Sequence, residues 1–427
     1  MVYSQQRRSR MIGAALLLFV GGLWLAKGTG RVALAQEEEE GGGRSRTQGS
    51  ESRNFPKSPD GRPMIVIDRA PARVIEDNHP TFNAIALDPD RNEVFVANNN
   101  EASNPGIFVY PTEFAPTDKV LEPRRVIAGG NPGLGQTCGL AISTKFKEIY
   151  AVEGDGGAMK VFPLDGNGDI HPSRTLGVAH GSGGIYLDEQ NDELTLSTEH
   201  INAVTVYRRG AGGEADPIRN IQGPHTQLAD PHGVYVDNQT EEIFVTNHGN
   251  YREASTNDLM AVHGYPVPIG PSTGAFWPPS VTVYPRTGEW DVVPERVIQG
   301  SKTRLNLPQG ITRDPVSGDI IVANPGGNDI LFFSKDAKGD VAPSRVIEGA
   351  LTDLKAPTGV VIDPKKKELW VSTWENHMAL VFPLSGSGNI KPLRYIRAAG
   401  ADATPASFGR PGTVAYDPIR NQILIAN

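Results

Sequence analysis

The sequence predicts an all-β fold built from a repeated four-stranded unit, and three observations point to it. Glycine (48) and proline (34) are frequent among the 427 residues, as is typical of chains with many turns. Beyond about residue 60, runs of β-branched and aromatic residues alternate with turn residues, and helical periodicity is hard to find. The runs recur in the same order about every 45–50 residues, which is the period of a propeller blade.

Each repeat reads as four strands in a fixed order. The first ends in Asp, as in "HGVYVD", and the second follows a polar turn, as in "EIFVTN". The third is rich in aromatic residues, as in "SVTVYP", and the fourth begins with a Pro-x-Arg element. Because that element recurs so regularly, we interpret its arginine as structural. It occurs seven times, at Arg73, Arg125, Arg174, Arg219, Arg296, Arg345 and Arg394.

The two ends of the repeat region complete each other. Residues 412–427 supply a first and a second strand, and residues 64–77 supply a third and a fourth strand. Pairing the two halves closes a ring and leaves no free sheet edge. We therefore predict a seven-bladed β-propeller over residues 63–427, with four antiparallel strands per blade and a composite blade that takes two strands from each end.

The N-terminal residues lack the repeat. Three arginines precede an apolar run over residues 11–26, and a small-x-small pattern ends at Ala35, as in a secretory signal peptide. We expect residues 1–35 to be cleaved off and the protein to be exported to the periplasm or the cell exterior. An uncleaved anchor that tethers the protein to a membrane is the alternative. Residues 36–62 hold almost nothing apolar, which predicts a disordered linker.

Charge and cysteine content exclude several classes of protein and site. Residues 1–35 contain five Lys or Arg and no acid, so the rest of the chain carries 36 bases and 49 acids. This excess of acids argues against a nucleic-acid partner. Cys138 is the single cysteine, which excludes an intrachain disulfide and a cysteine-based zinc site.

The repeat pattern "PxGVxxDPxxxEIxVAN…IxVYP" resembles the NHL-type repeat and related bacterial propellers, including gluconolactonase-like and streptogramin-lyase-like proteins. The resemblance covers residues 63–427. It implies a propeller whose ligand lies on the face that carries the connections between blades and the loops between second and third strands. Propellers of this kind include both enzymes and binding modules, so the resemblance leaves the activity open.

Polar and aromatic residues cluster on the predicted loop-rich face, where one repeat differs from the others. Asn98 ends a second strand, a place where Asn also fits a local cap between side chain and backbone. We expect a ligand to contact the residues that stand at this level of the blades, namely Asn98, Glu153, Glu199, His200, Tyr265, Gln309 and Trp374.

The fourth repeat carries two histidines at this level. His232 lies near the start of its first strand, and His248 follows the end of its second strand. Antiparallel pairing of the two strands places these imidazoles side by side, and Glu199 lies at the same level of the preceding repeat. Two imidazoles and a carboxylate suit zinc or another first-row ion, so a divalent metal ion is the candidate cofactor. Polar side chains that rim a water-filled cavity are the alternative.

The sixth repeat contains the tripeptide "ENH", formed around Glu375 and His377. It resembles the Glu-x-His that streptogramin lyases place on a propeller loop. Those enzymes combine it with another His and a magnesium ion to open a lactone by elimination. The resemblance implies catalytic roles for Glu375 and His377.

Residues 248–280 form the largest departure from the repeat, because other repeats cross the same gap in a few residues. The segment is rich in apolar residues and contains five prolines, which favours order over a solvated tail. We predict a loop that packs over the loop-rich face, with Tyr265, Phe276 or Trp277 against the central cavity. An Ω-loop over the rim of the fourth blade is the alternative.

These features predict an exported binding module whose partner is a protein, a glycan or a small molecule. A divalent-metal-dependent lactonase or lyase that uses the same face is the alternative. A structural component of the cell envelope, tethered through residues 36–62, is the third class considered.

Overall fold

The fold is almost entirely β-structure. A computed structural model of the protein describes residues 30–36, 73–77, 81–99, 104–114, 120–154, 156–252, 272–399, 414–417 and 422–426. Within these ranges the helical elements are two single 3-10 turns, Ser301–Thr303 and Pro325–Gly327. None of the described residues forms a helix long and apolar enough to cross a membrane.

Six antiparallel four-stranded sheets are complete in the described part of the chain, and we number them blades 1 to 6. Blade 1 contains Phe82–Asp88, Glu93–Asn98, Gly106–Pro111 and Arg125–Ala128. Blade 2 contains Thr137–Ser143, Glu148–Glu153, Ala158–Pro163 and Arg174–Gly177. Blade 3 contains Ser182–Asp188, Glu193–Thr198, Ala203–Arg208 and Arg219–Gln222. Blade 4 contains Pro231–Asp237, Glu242–Asn247, Ser280–Pro285 and Arg296–Gln299. Blade 5 contains Ile311–Arg313, Ile320–Asn324, Asp329–Phe333 and Arg345–Ile347. Blade 6 contains Pro357–Asp363, Glu368–Thr373, Met378–Pro383 and Arg394–Arg397.

The core lies between blades. Second strands such as "EVFVAN" and "ELTLST" are buried along their whole length, because each blade packs against a neighbour on both faces. One cluster joins Phe95 and Ile107 of blade 1 to Ile149 and Phe162 of blade 2. Burial of these side chains therefore stabilises each blade, and it also stabilises the packing of one blade against the next.

The innermost strands approach one another closely. In blades 1, 2, 3, 4 and 6 the register of the first strand shifts near its start, as between Pro231 and Val234. Such a bulge inserts a residue and re-aims its side chain. The residue after the bulge is Gly233. A Cβ at this position would lie 2.1 Å from the carbonyl oxygen of Gln309 in the next blade, so the close contact leaves room only for glycine. In these five blades the bulge lies at the level where the first strands of neighbouring blades are in close contact.

The ring closes with six blades, so the prediction of seven is wrong. Thr358 Oγ1 of blade 6 donates to the carbonyl oxygen of Phe82 in blade 1 at 3.4 Å. Arg394 Nε donates to the carbonyl oxygen of Thr112 at 2.9 Å. Arg125 makes the same type of contact from blade 1 to the carbonyl oxygen of Leu164 in blade 2, at 3.0 Å. Blade 6 therefore uses on blade 1 the contact that successive blades use on each other.

The two ends of the chain meet in a further four-stranded sheet. Its strand order is Arg73–Asp77, Gly30–Gln36, Gln422–Ala426 and Val414–Asp417. The C-terminal half-repeat thus shares a sheet with Arg73–Asp77, as predicted. The strand between them is Gly30–Gln36, however, with Ala33 paired to both Val74 and Ile425. The alternating pattern of "RVALAQ" suits a strand, although the signal-peptide interpretation places these residues around the cleavage site.

Several predictions about the ends of the chain fall outside the described residues. They concern the strand over residues 64–68, nearly all of the linker at 36–62, and Asn427. Cleavage after Ala35 and export stay predictions.

Candidate functional site

A central cavity of about 390 Å³ is lined by the first strands of all six blades. The six residues that the repeat alignment places at the start of these strands all reach its wall, namely Asn83, Cys138, Gly183, His232, Gln309 and Thr358. Five of these residues lie at the bulges of their first strands, and Gln309 lies two residues before the strand Ile311–Arg313. Gln309 and Trp374, both predicted ligand contacts, lie in this wall.

His232 and His248 meet in the cavity wall on blade 4. Their rings are stacked, with centroids 3.5 Å apart and planes inclined by 18°. The bulge between Pro231 and Val234 turns His232 inward. His248 directly follows the second strand, and its backbone N donates to the carbonyl oxygen of Asp230 at 3.0 Å. The side-by-side placement that the antiparallel register predicts is present.

Two carboxylates face the His232 ring. Its Nε2 lies 3.3 Å from Glu199 Oε2 and 3.4 Å from Asp230 Oδ1. Glu199 comes from blade 3, so the cluster spans two blades. The side chains of Glu199 and Asp230 are partly buried, with 30% and 18% of their surface exposed.

Asp230 was not predicted from the sequence. It occupies a left-handed backbone conformation, with φ 58°, and its backbone N donates to Asn202 Oδ1 at 2.9 Å. The positions two residues before the other channel-lining residues hold Thr81, Gln136, Gly181, Leu307 and Ala356. Asp230 is the one acid in that aligned set. This departure from the repeat was the available signal.

The two histidines differ in their affinity for a proton. Burial lowers the pKa of His232, but a hydrogen bond to Asp230 and the charge of Glu199 outweigh burial and raise the pKa above its ordinary value. Burial and the adjacent His232 hold the pKa of His248 well below its ordinary value. His232 therefore retains a proton more readily than His248 does.

Among the described residues, His248 Nε2 is a buried polar atom without a hydrogen-bond partner. A hydrogen bond with the backbone of Leu307 acts on the His248 pKa in the opposite direction to burial. Histidines that bind metals use one ring nitrogen for the ion and the other for a hydrogen bond.

The cluster fits a divalent metal ion. Ligand atoms of Asp230, His232 and His248 lie within 4.8 Å of one another. Separations of 3.3 and 3.4 Å from His232 Nε2 to the two carboxylates match the roughly 3.4 Å expected between ligands of a tetrahedral ion with bonds of about 2.1 Å. Coordination by both imidazoles requires one stacked ring to tilt toward the other. Two nitrogens and carboxylate oxygens are a donor set suited to zinc and other first-row ions.

His200 holds Glu199 from the side away from His232. His200 Nε2 lies 2.7 Å from Glu199 Oε1, and its Nδ1 lies 2.7 Å from His180 Nδ1. His200 is not in the cavity wall. His200, which was predicted to contact a ligand, therefore positions the carboxylate of Glu199, which does line the cavity.

Asn98 and Glu153, predicted as ligand contacts, are buried caps. Asn98 is fully buried, and its Oδ1 accepts from the backbone N of Thr81 at 2.8 Å. Glu153 is 3% exposed, and its Oε2 accepts from the backbone N of Gly135 at 2.6 Å. Both satisfy backbone groups of the incoming connection, as the cap interpretation predicts for Asn98. Neither is placed to contact a ligand in the cavity.

The predicted catalytic pair does not reach the cavity. Glu375 and His377, both in the described part of the chain, are absent from its wall. His377 is 2% exposed and takes a left-handed conformation with φ 58° at the end of a tight loop. This loop presents Trp374 to the cavity and turns His377 into the protein. The Glu-x-His spacing therefore has a different orientation here from the one that the resemblance implies.

The long insertion in blade 4 is described only at its ends. Asn250–Arg252 pairs antiparallel with Ser272–Phe276, and Tyr265 lies outside the described residues. Phe276 is 76% exposed, and neither Phe276 nor Trp277 lines the cavity. Phe276 and Trp277 are therefore not the aromatic residues that wall the cavity, and the part of the prediction that concerns Tyr265 stays a prediction.

Six four-stranded antiparallel blades around a central cavity define the protein as a β-propeller. The chain matches no protein-family model and no curated protein. It is similar in structure to a chain in a nidogen/laminin complex, with 14% identity and a TM-score of 0.44, over 75% of this chain and 92% of that one. It is also similar to hydrazine synthase of Kuenenia stuttgartiensis, with 14% identity and a TM-score of 0.47, over 82% of this chain and 96% of that one. The assignment rests on the ring of blades itself.

Proposed function

We propose that the protein is a binding module that takes a small polar ligand into the central cavity, where a divalent cation held by Asp230, His232 and His248 anchors it. The observation that carries the proposal is that the ligand atoms of Asp230, His232 and His248 lie within 4.8 Å of one another, and that His248 Nε2 is buried without a hydrogen-bond partner among the described residues. A buried nitrogen without a partner costs stability, and a bound cation removes that cost.

The cavity suits a small molecule with a polar anchoring group. Its volume of about 390 Å³ falls within the usual range for ligand pockets, about 300–1,000 Å³. Asn83 and Gln309 add amide groups to the wall, while Ile85, Val360 and Trp374 add apolar surface. A carboxylate or hydroxyl of the ligand would bind the cation, and its apolar part would contact these side chains. Export of the protein is part of the proposal.

A metal-dependent lactonase or lyase is the second candidate function. The observation that favours it is the carboxylate of Glu199, held between His200 and His232 at 2.7 and 3.3 Å. A carboxylate placed this way beside a metal centre can accept a proton from a substrate. Glu375 and His377 have no part in this alternative, because they do not reach the cavity.

Metal analysis of the purified protein tests the proposal. We expect one equivalent of a divalent first-row ion in the wild type, and its loss in His248→Ala. His171→Ala is the matched control, because His171 is exposed and far from the cavity wall, and it should retain the ion. A wild type that binds no ion after incubation with zinc or manganese would contradict the proposal. Opening of lactones by the wild type, abolished by a chelator and by Glu199→Gln, would favour the enzyme.

A further inference from the structure

Blade 4 departs from the repeat a second time, in the loop between its third and fourth strands. Trp290 pairs with Ile221 of blade 3 in a single parallel bridge. The equivalent bridges of other blades use a glycine in the left-handed conformation, namely Gly168, Gly213, Gly339 and Gly388, with φ of 81°, 61°, 73° and 70°. Trp290 takes the same conformation, with φ 54°. A bulky residue rarely adopts it, because the Cβ crowds the backbone.

The position directs a side chain into solvent. A Cβ built on any of these four glycines meets nothing within 4 Å. Trp290 accordingly remains 55% exposed. Its backbone N donates to the carbonyl oxygen of Asn220, and its own carbonyl accepts from Gln222 N at 3.0 Å. A strained backbone thus holds an exposed indole in a fixed place, which packing within the fold does not require.

A groove of about 380 Å³ lies beside the indole, between blades 3 and 4. Asp216 and Glu289 line it, and both are exposed. Arg219 also lines the groove, but its guanidinium is bound to Glu193 by two hydrogen bonds of 2.8 and 2.6 Å. Glu193 also accepts from Arg286 Nη1 at 3.3 Å. The groove presents the Trp290 indole together with the exposed carboxylate of Glu289.

We infer that this groove binds an organic cation, with an alkylammonium group over the Trp290 ring and its charge balanced by Glu289. A tryptophan face attracts cations more strongly than the other aromatic rings do, and the carboxylate adds favourable charge. Antiparallel strands place this loop at the end of the blade opposite to the loop that carries His248. The groove is therefore independent of the cavity, and its failure would leave the proposed function untouched.

Calorimetric titration of the full protein with choline tests the inference. 3,3-Dimethylbutan-1-ol is the matched ligand, because it has the same shape without the charge. We expect millimolar binding of choline, at least tenfold weaker binding of the neutral analogue, and unchanged choline binding in His248→Ala. Equal binding of the two ligands, or binding of N-acetylglucosamine oligomers without binding of choline, would overturn the inference.

Variants of the groove separate binding from folding. Trp290→Gly introduces the residue that four other blades use, so its thermal midpoint should equal or exceed that of the wild type, while choline binding falls at least tenfold. Glu289→Gln should weaken binding several-fold. Glu295→Gln is the control, because Glu295 is exposed on the same loop but does not line the groove. Full choline affinity in Trp290→Gly would contradict the role of the indole.

Discussion

Blades 4 and 6 place different chemistry on the same backbone frame. Both first strands are bulged near the start, and the bulged residues are His232 and Thr358. The Thr358 hydroxyl lies 3.4 Å from the carbonyl oxygen of Phe82 and 3.2 Å from Ser372 Oγ. On blade 4, in contrast, Asp230 and Glu199 of blade 3 face His232, and His248 Nε2 has no hydrogen-bond partner among the described residues.

The difference contrasts closure of the ring with the proposed binding site. The Thr358 hydroxyl of blade 6 has partners on blade 1 and on its own blade, so it stabilises the ring. On blade 4, Asp230, His232 and His248 bring ligand atoms within 4.8 Å of one another, and the proposed cation would bind there.

The largest expected effect is a loss of zinc affinity when His232 of blade 4 is replaced by threonine, the residue at the equivalent position of blade 6. His232→Thr should lower zinc affinity at least 100-fold, because it removes a central ligand of the cluster. The fold should persist, since Thr already occupies this position in blade 6. Competition with a zinc-binding dye measures the affinity, and circular dichroism checks the fold. Wild-type zinc affinity in this variant would contradict the proposal that His232 of blade 4 binds the metal ion.

Alanine at Gly233 tests the frame that both blades share. A Cβ there meets the Gln309 backbone at 2.1 Å, whereas at Gly359 of blade 6 it meets Ser372 Oγ at 2.7 Å and Ile85 Cγ2 at 2.9 Å. Side chains can move aside more readily than backbone. We expect Gly233→Ala to cost roughly 2–3 kcal/mol and Gly359→Ala to cost less, as measured by urea unfolding. Equal and small costs would mean that the inner strands are not in close contact.

His200→Ala sharpens the distinction between ligands and the residues that position them. Loss of the 2.7 Å contact to Glu199 frees that carboxylate, and zinc affinity should fall about tenfold, as is common when a residue that orients a metal ligand is removed. His200→Gln should restore part of the affinity, because its amide can still donate to Glu199. A loss as large as that of His232→Thr would instead make His200 a ligand.

The smallest effect is expected from Thr358→Val. It removes the hydroxyl that contacts blade 1, and it should lower the free energy of unfolding by about 1 kcal/mol. Zinc affinity should not change. Urea unfolding and dye competition on one preparation measure both quantities. A change in metal affinity would show that the two sides of the ring are coupled.

The strands could be predicted well from the sequence because the same strand and turn patterns recur in each repeat. Polar turns, aromatic third strands and Pro-x-Arg elements recur, and the aligned starts of the first strands do meet in the cavity. Counting repeats could not determine the ring, however. Closure depends on contacts such as Ser372 Oγ with the carbonyl oxygen of Asn83 at 3.3 Å. The repeat pattern does not encode how many blades those contacts bring together.

The site could be predicted only where it follows strand register. Register placed His232 beside His248, but it could not reveal that Asp230 turns toward them, since that depends on a left-handed residue before the strand. The same limit misplaced His377, whose left-handed conformation turns it into the protein. The spacing of chemical groups along a loop does not fix their direction. Trp290, a tryptophan in a glycine position, was visible in the sequence and overlooked.

Anomalous diffraction from crystals grown with zinc tests the central claim most directly. The account predicts one strong peak within about 2.0–2.2 Å of His232 Nε2, His248 Nε2 and a carboxylate oxygen of Asp230, with the two imidazoles tilted out of their stack. The same crystals of His248→Ala should lack it. Absence of that peak in the wild type at saturating zinc, with the two rings still stacked 3.5 Å apart, would contradict the account.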